Sequence, residues 1–230
     1  MEGIISVREK LIMILIVLAG FMQSAIPSPL GKDNGNRQDT AYLRQQLYNG
    51  RVWEKRFDKV TGHEFFLTEA LSVASVTIGD RTFNDQLIWY DIFNDRIVLM
   101  VRPGMFIEIP GENTGRFSIT YMNRDYTFRY FGEMGYCHLL YEGNIMLVRK
   151  YVKVIKSITI DNSNDTFEEE QFDYIVNNGS FFRLRNRRDL FEALSDKEDE
   201  IRHFIRETGI WLNVKRPELI IPVLKYYDSL

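Results

Sequence analysis

Between Tyr42 and about Leu184 the apolar runs are cut by turn formers at intervals of roughly eight to twelve residues, and this spacing constrains the fold more than any other feature. Val76-Thr77-Ile78, Gly79-Asp80 and Thr82-Phe83 spell a hairpin with a Gly-Asp turn. Leu87-Ile88-Trp89-Tyr90 leads into Asn94-Asp95, residues 96–101 into Pro103-Gly104, 106–109 into Pro110-Gly111, and 117–121 into Asn123-Arg124-Asp125. Residues 126–131 then alternate large aromatic with polar side chains, the pattern of a half-buried strand. Further strands are predicted over 136–141, 145–148, 151–160, 172–176 and 181–184. Strands at this spacing with no helices between them predict an antiparallel meander or barrel-like sheet. No repeat of fixed period is visible.

The last 45 residues or so change character. Asp189 to Leu194, then Ile201, Phe204 and Ile205, carry apolar groups at helical spacing. Ser195 and Glu198 fit a capping box, which predicts two helices broken near Ser195, the second ended by Gly209. Pro217 is placed to open a last helix carrying Leu219, Ile220, Val223, Leu224 and Tyr227, which Pro222 is expected to bend or shorten. The expected fold class is therefore α+β, mostly β: an antiparallel meander or partly open barrel-like sheet with C-terminal helices packed on it. The expected boundaries are 1–26 for a signal peptide, 27–40 for a flexible tether, 41–186 for the antiparallel β domain and 187–230 for the helical segment.

The signal reading rests on Arg8 and Lys10, the apolar run Leu11 to Met22, and the small or turn-forming Gln23-Ser24-Ala25-Ile26-Pro27. A retained anchor is the rival. Twelve apolar residues make a helix of roughly 18 Å, short of the ~30 Å hydrocarbon core, and lengthening it toward Gly3 would place Arg8, Glu9 and Lys10 in lipid. The only cysteine is Cys137, so no Cys follows the apolar run to carry a lipid. The expected location is exported, periplasmic or cell-surface, and non-lipidated, with membrane contact only through the signal segment. Residues 27–40 are rich in turn formers and read as the tether. Within them Asp39-Thr40-Ala41 resembles an acceptor site for O-glycans on exported proteins of some Gram-negative bacteria.

Net charge is −3, and Arg8 and Lys10 cancel Glu2 and Glu9, so no nucleic-acid partner is expected: such a partner calls for a basic footprint. A single cysteine excludes an internal disulfide, and stability must come from a core to which sixteen Phe and twelve Tyr contribute. Cys137 and His138 are adjacent, but neighbours in a strand face opposite ways, which argues against a nucleophilic pair. His63, His138 and His203 lack zinc-site spacing. Asp161-Asn162-Ser163-Asn164-Asp165 starts like a calcium loop, but Thr166 and Phe172 stand where that loop needs Gly and an acid. The strip Phe181 to Arg188 interleaves aromatic and Arg residues and is expected to pair with the preceding acidic loop or to face anionic lipid or glycan. Asp91 and Asp95 flank a predicted turn, where they would bond locally to the backbone. No hydrolase, zinc-protease, P-loop or dinucleotide motif is present. No catalytic, cofactor-binding or metal residue is therefore assigned from sequence, and no cofactor is expected.

The chain resembles a group of uncharacterised exported β-rich proteins of Gram-negative bacteria. The resemblance lies in Tyr48-Asn49-Gly50, Ser75 to Gly79 with Thr82-Phe83, Tyr90-Asp91-Ile92-Phe93-Asn94-Asp95, Leu140-Tyr141-Glu142-Gly143 and Tyr226-Tyr227-Asp228-Ser229-Leu230. It implies fold and export, and no catalytic residues. The function expected is that of a non-catalytic binding or scaffolding module whose partner is an envelope protein, lipid or glycan. The alternatives are a carrier of a lipid or other apolar ligand in the concavity of the sheet, and a carboxylate-based hydrolase of envelope glycans.

Fractionation of cells expressing the full chain, with sequencing of the mature N-terminus, checks the export reading. A chain that begins just after Ser24 or Ala25 is expected, and a cytosolic chain still beginning at Met1 contradicts it.

Overall fold

Gly79 takes φ +56° and turns β2 (Ser72–Ile78) back into β3 (Arg81–Asp91), with the Thr77 and Thr82 hydroxyls 2.9 Å apart across the hairpin. A computed structural model describes residues 47, 48, 50–157 and 165–230, all within one unit spanning 41–230. The signal, tether, O-glycan tripeptide and most of the Asp161–Asp165 loop lie outside the described residues. Before β2 comes β1 (Arg51–Val52), and after β3 come β4 (Arg96–Arg102), β5 (Met105–Ile109), β6 (Arg116–Tyr121) and β7 (Arg124–Tyr130). β8 (Tyr136–Glu142), β9 (Met146–Lys156), β10 (Thr166–Asn177) and β11 (Ser180–Arg183) complete one antiparallel sheet.

The sheet order is β1-β5-β4-β3-β2-β6-β7-β8-β9-β10-β11. Two meanders, β2 to β5 and β6 to β11, are thus joined at the β2–β6 pair. The β5–β6 connection is short for this order. β5 and β6 lie four places apart, roughly 19 Å in a flat sheet at ~4.8 Å per strand, yet only residues 110–115 connect them. Register shifts at Ala74/Val76, Met100/Arg102 and Leu139/Tyr141 add the twist that curling requires. Both edges are short, β1 at two residues and β11 at four, which limits pairing with other chains.

Three contacts hold the curl. The Asp95 carboxylate in the β3–β4 turn accepts from Tyr90 Oη at 2.6 Å, from Tyr136 N at 3.1 Å and from Lys150 Nζ at 2.7 Å, joining that turn to β8 and β9. The segment between β1 and β2 then crosses the gap like a strap. Thr61 pairs with Thr166 on β10, and Phe66 N donates to Tyr90 O at 2.8 Å. The Lys153 ammonium pins the strap by donating to the carbonyls of His63 and Phe65, with His63 Nδ1 at 3.2 Å. Every one of those acceptors is neutral, and burial lowers the Lys153 pKa.

The strap carries Phe66 into the curl, where its ring meets Tyr126, Phe128 and Tyr151 at 5.3, 5.2 and 4.7 Å. Around it Tyr90, Phe117, Phe128 and Tyr136 are fully buried and fill the interior. A second core forms where the helices cover Leu147, Ile175 and Leu184. The helices are α1 (Arg187–Ala193), α2 (Glu198–Thr208) and α3 (Ile221–Ser229). Asp228 in α3 ties them to the sheet, accepting from Tyr141 Oη at 2.7 Å and Ile145 N at 3.0 Å.

The structure corrects several local expectations. The capping box is Asn186 with Asp189, at the start of α1. Ser195 opens a 3-10 turn with no side-chain cap, so the predicted break is present but Ser195 and Glu198 do not make it. Pro222 stands in the first turn of α3, where its missing N–H costs nothing, and so begins the helix it was expected to interrupt. Gly209 does end α2, at φ +65°. The two strands expected over 145–148 and 151–160 are the single β9, because Arg149 and Lys150 find carboxylate partners within the fold. Asp91 bonds locally as expected, to the Phe93 and Asn94 backbone, whereas Asp95 reaches across the sheet.

Gly135 lies at φ +68° and ψ −150°, a region nearly closed to other residues, and a Cβ there would overlap the Asp95 carboxylate. Gly135→Ala is expected to cost more than about 3 kcal/mol of stability, read by urea denaturation. A loss under about 1 kcal/mol would mean that the clamp is not needed for the curl.

Candidate functional site

The register of four neighbouring strands sets Phe128, His138, Arg149 and Asp173 opposite one another in one cross-strand row. The pleat places residues two apart on the same face, so Tyr126 on β7 and Tyr151 on β9 flank His138. Their ring centroids stand 5.3 and 6.0 Å from the imidazole. The three rings border a cavity of about 440 Å³. Arg124 and Asp125 at the start of β7 form one side, and Glu218 forms another, from the 3-10 turn Pro217–Ile220 that leads into α3. Leu140, in the bulged stretch of β8, also lines it. The cavity thus lies at the seam between the aromatic core and the helix-covered core.

Charges in the wall are balanced. Arg149 grips Asp173 through Nε at 2.7 Å and Nη2 at 3.2 Å, and its Nη2 lies 3.7 Å from Glu218. Asp125 accepts from the Thr120 hydroxyl at 2.6 Å. Arg124 is exposed and meets no carboxylate among the described residues. Burial, reinforced by the Arg149 charge, pulls the His138 pKa down to about 4, so the imidazole is neutral at neutral pH. Its Nδ1 is buried and has no hydrogen-bond partner among the described residues. Burial also raises the Tyr151 phenol, against the pull of Arg149. The site offers neutral aromatic surface, hydroxyl and imidazole groups, and both signs of charge. It holds no activated nucleophile.

Cys137 and His138 face opposite sides of the sheet. Cys137 is packed with Val148 and Val176, and burial pushes its thiol up to about 11. The other histidines sit elsewhere: His63 against Lys153, and His203 against Glu207 at 3.1 Å. Among the described residues no three His, Cys, Asp or Glu side chains are grouped to hold a metal ion. Among the described residues the Arg-rich strip pairs with groups other than the acidic loop before it. Arg183 lies over the Phe172 ring at 4.4 Å, Arg185 meets Asp189, and Arg187 donates to Leu212 O.

Two further cavities are polar as well. One of about 490 Å³ has Asp95, Glu108, Glu112 and Glu133 in its wall, and an open cleft of about 960 Å³ separates α1 from α2. Glu108 is paired with Arg96, and Asp95 belongs to the clamp. Among the described residues no helix is long and apolar enough to cross a membrane. No protein-family model matches the chain, and comparison with curated proteins and with solved structures finds no match.

The low His138 pKa gives a signed pH dependence. Above about pH 6.5 the imidazole is neutral in both states. Between pH 6.5 and about 4 the unfolded chain takes up a proton that the native site refuses, so stability falls as pH falls, by up to about 1.4 kcal/mol per unit. His138→Phe is expected to lessen the loss between pH 7 and pH 4 by roughly 1–3 kcal/mol, measured by denaturant titration at both values. An unchanged acid limb would contradict it.

Proposed function

We propose that this chain is an exported envelope protein acting as a non-catalytic binding module, with its ligand site at the seam between the curled sheet and the C-terminal helices. The observation that carries the reading is the cavity around His138. It has an aromatic floor, both signs of charge in its wall and a buried imidazole nitrogen without a partner. A few placed polar groups beside aromatic surface, in a concavity within the range of about 300–1,000 Å³, are what small-ligand sites share.

Other features support binding over transport of an apolar cargo or catalysis. The interior of the curl is filled by Tyr90, Phe117, Phe128 and Tyr136, and the described cavities have polar groups in their walls, which leaves a lipid little apolar space. The cavity richest in carboxylates has two of its four committed to fixed partners, which offers a hydrolase little. Export is supported by the N-terminal charge and apolar pattern, and by the resemblance to exported proteins carried by residues 90–95 and 140–143.

Native mass spectrometry of the protein purified from its own envelope tests the reading. A small polar molecule is expected to travel with the wild-type chain. Its occupancy should fall at least threefold in Glu218→Ala, which removes an exposed wall residue. No bound molecule, or the same occupancy in both proteins, would count against the site.

A further inference from the structure

We infer that the ligand of the seam cavity is a neutral, hydroxyl-rich saccharide; this rests on the binding-module reading above and narrows it to a substrate class. The first observation is the floor. Tyr126, His138 and Tyr151 come from three adjacent strands, and the imidazole plane is tilted 44° from the first ring and 29° from the second. Tyr126 and His138 are half-buried while Tyr151 is only 7% exposed, so the first two rings are the main surface open to a ligand, apolar and bordered by hydrogen-bonding groups. A pyranose has the matching form, with C–H faces above and below and hydroxyls around its rim.

The second observation is the balance of the wall. The lining holds two guanidinium groups, Arg124 and Arg149, and two carboxylates, Asp125 and Glu218, while Asp173, which grips Arg149, lies outside the lining. A phosphate or sulfate site needs a surplus of cationic donors, and a site for a cationic ligand needs the reverse. This wall has neither. Each hydroxyl donates one hydrogen bond and accepts up to two. Vicinal hydroxyls are therefore matched by guanidinium donors and carboxylate acceptors set side by side, with phenol and imidazole groups able to play either part.

The third observation concerns access. Arg124 follows directly on the β6–β7 turn, where Met122 is 79% exposed and held at φ +47°. Met122 and Asn123 both take positive φ, the geometry a two-residue hairpin turn favours, so the hairpin accounts for the backbone but not for a large apolar side chain left in solvent. It lies outside the cavity lining, two residues before the wall residue Arg124, where only a ligand longer than one ring would meet it.

Titration calorimetry on the full chain tests the inference with defined probes: neutral disaccharides of glucose, mannose and N-acetylglucosamine, a digalacturonate as the charged counterpart, inorganic phosphate, and phosphatidylglycerol vesicles. At least one neutral disaccharide is expected to bind more tightly than digalacturonate. Tyr126→Ala should weaken that binding tenfold or more, and Arg124→Ala threefold or more. Arg124 is exposed and unpaired among the described residues, so its variant keeps the test valid should Tyr126→Ala fold poorly. Tighter binding of digalacturonate, phosphate or vesicles, lost in Arg124→Ala, would overturn the saccharide class and keep the site. Binding of none of the probes, or binding indifferent to both variants, would overturn the site and the class together.

Discussion

The curl of the sheet depends on one carboxylate. Asp95 stands in a hairpin turn at φ +57°, yet it gathers a phenol, a backbone N–H and an ammonium from Tyr90, Tyr136 and Lys150. These donors come from strands that a flat sheet would hold far apart. Charge-assisted bonds are the strong ones, and here they are spent on curvature. Gly135 is small because the carboxylate occupies the space its side chain would need. Once the curl is set, the aromatic side chains of the inner face can meet, and the strap can reach β9 and β10 with Phe66 between them.

The aromatic interior and the seam cavity are two outcomes of one register. Phe128 and His138 are direct cross-strand partners, yet one is in a closed core and the other beside open space. The difference lies in what faces them. Phe66, Tyr90 and Phe117 close over Phe128, and the helices close over Leu147 and Ile175, but His138 falls where neither covering reaches. Its neutral imidazole, the ion pair of Arg149 and the tyrosines beside it are the polar groups that such a gap tolerates.

Much of the fold was legible because its signals are local. Gly79-Asp80 states its hairpin within four residues, and Gly209 states its helix end in one. Errors arose where a distant partner overruled a local preference. Arg149 and Lys150 look like an interruption of β9 until Asp173 and Asp95 are placed beside them. Ser195 fits a cap by spacing, but α2 begins at Glu198 after a 3-10 turn with no side-chain cap, and the capping box that does form, Asn186 with Asp189, stands at the start of α1. The seam site was not legible at all. Tyr126, His138, Tyr151 and Glu218 are joined by strand register and helix docking, which no spacing in the sequence encodes.

The contact between α3 and the sheet also makes the second core depend on residues distant in sequence. Asp228 closes onto Tyr141 and Ile145 across separations of 87 and 83 residues, and a Cβ at Gly143 would collide with it. Contacts so far apart in sequence carry a loop-closure cost and slow folding. α1 packs on β10 and β11, and Val223 and Leu224 of α3 complete the cover over Leu147 and Ile175, an apolar face that would favour association with other chains if left open. The cover over Leu147 and Ile175 is thus supplied in part by residues roughly 50 to 80 positions away, so damage to the last helix uncovers the sheet as directly as damage to the sheet itself.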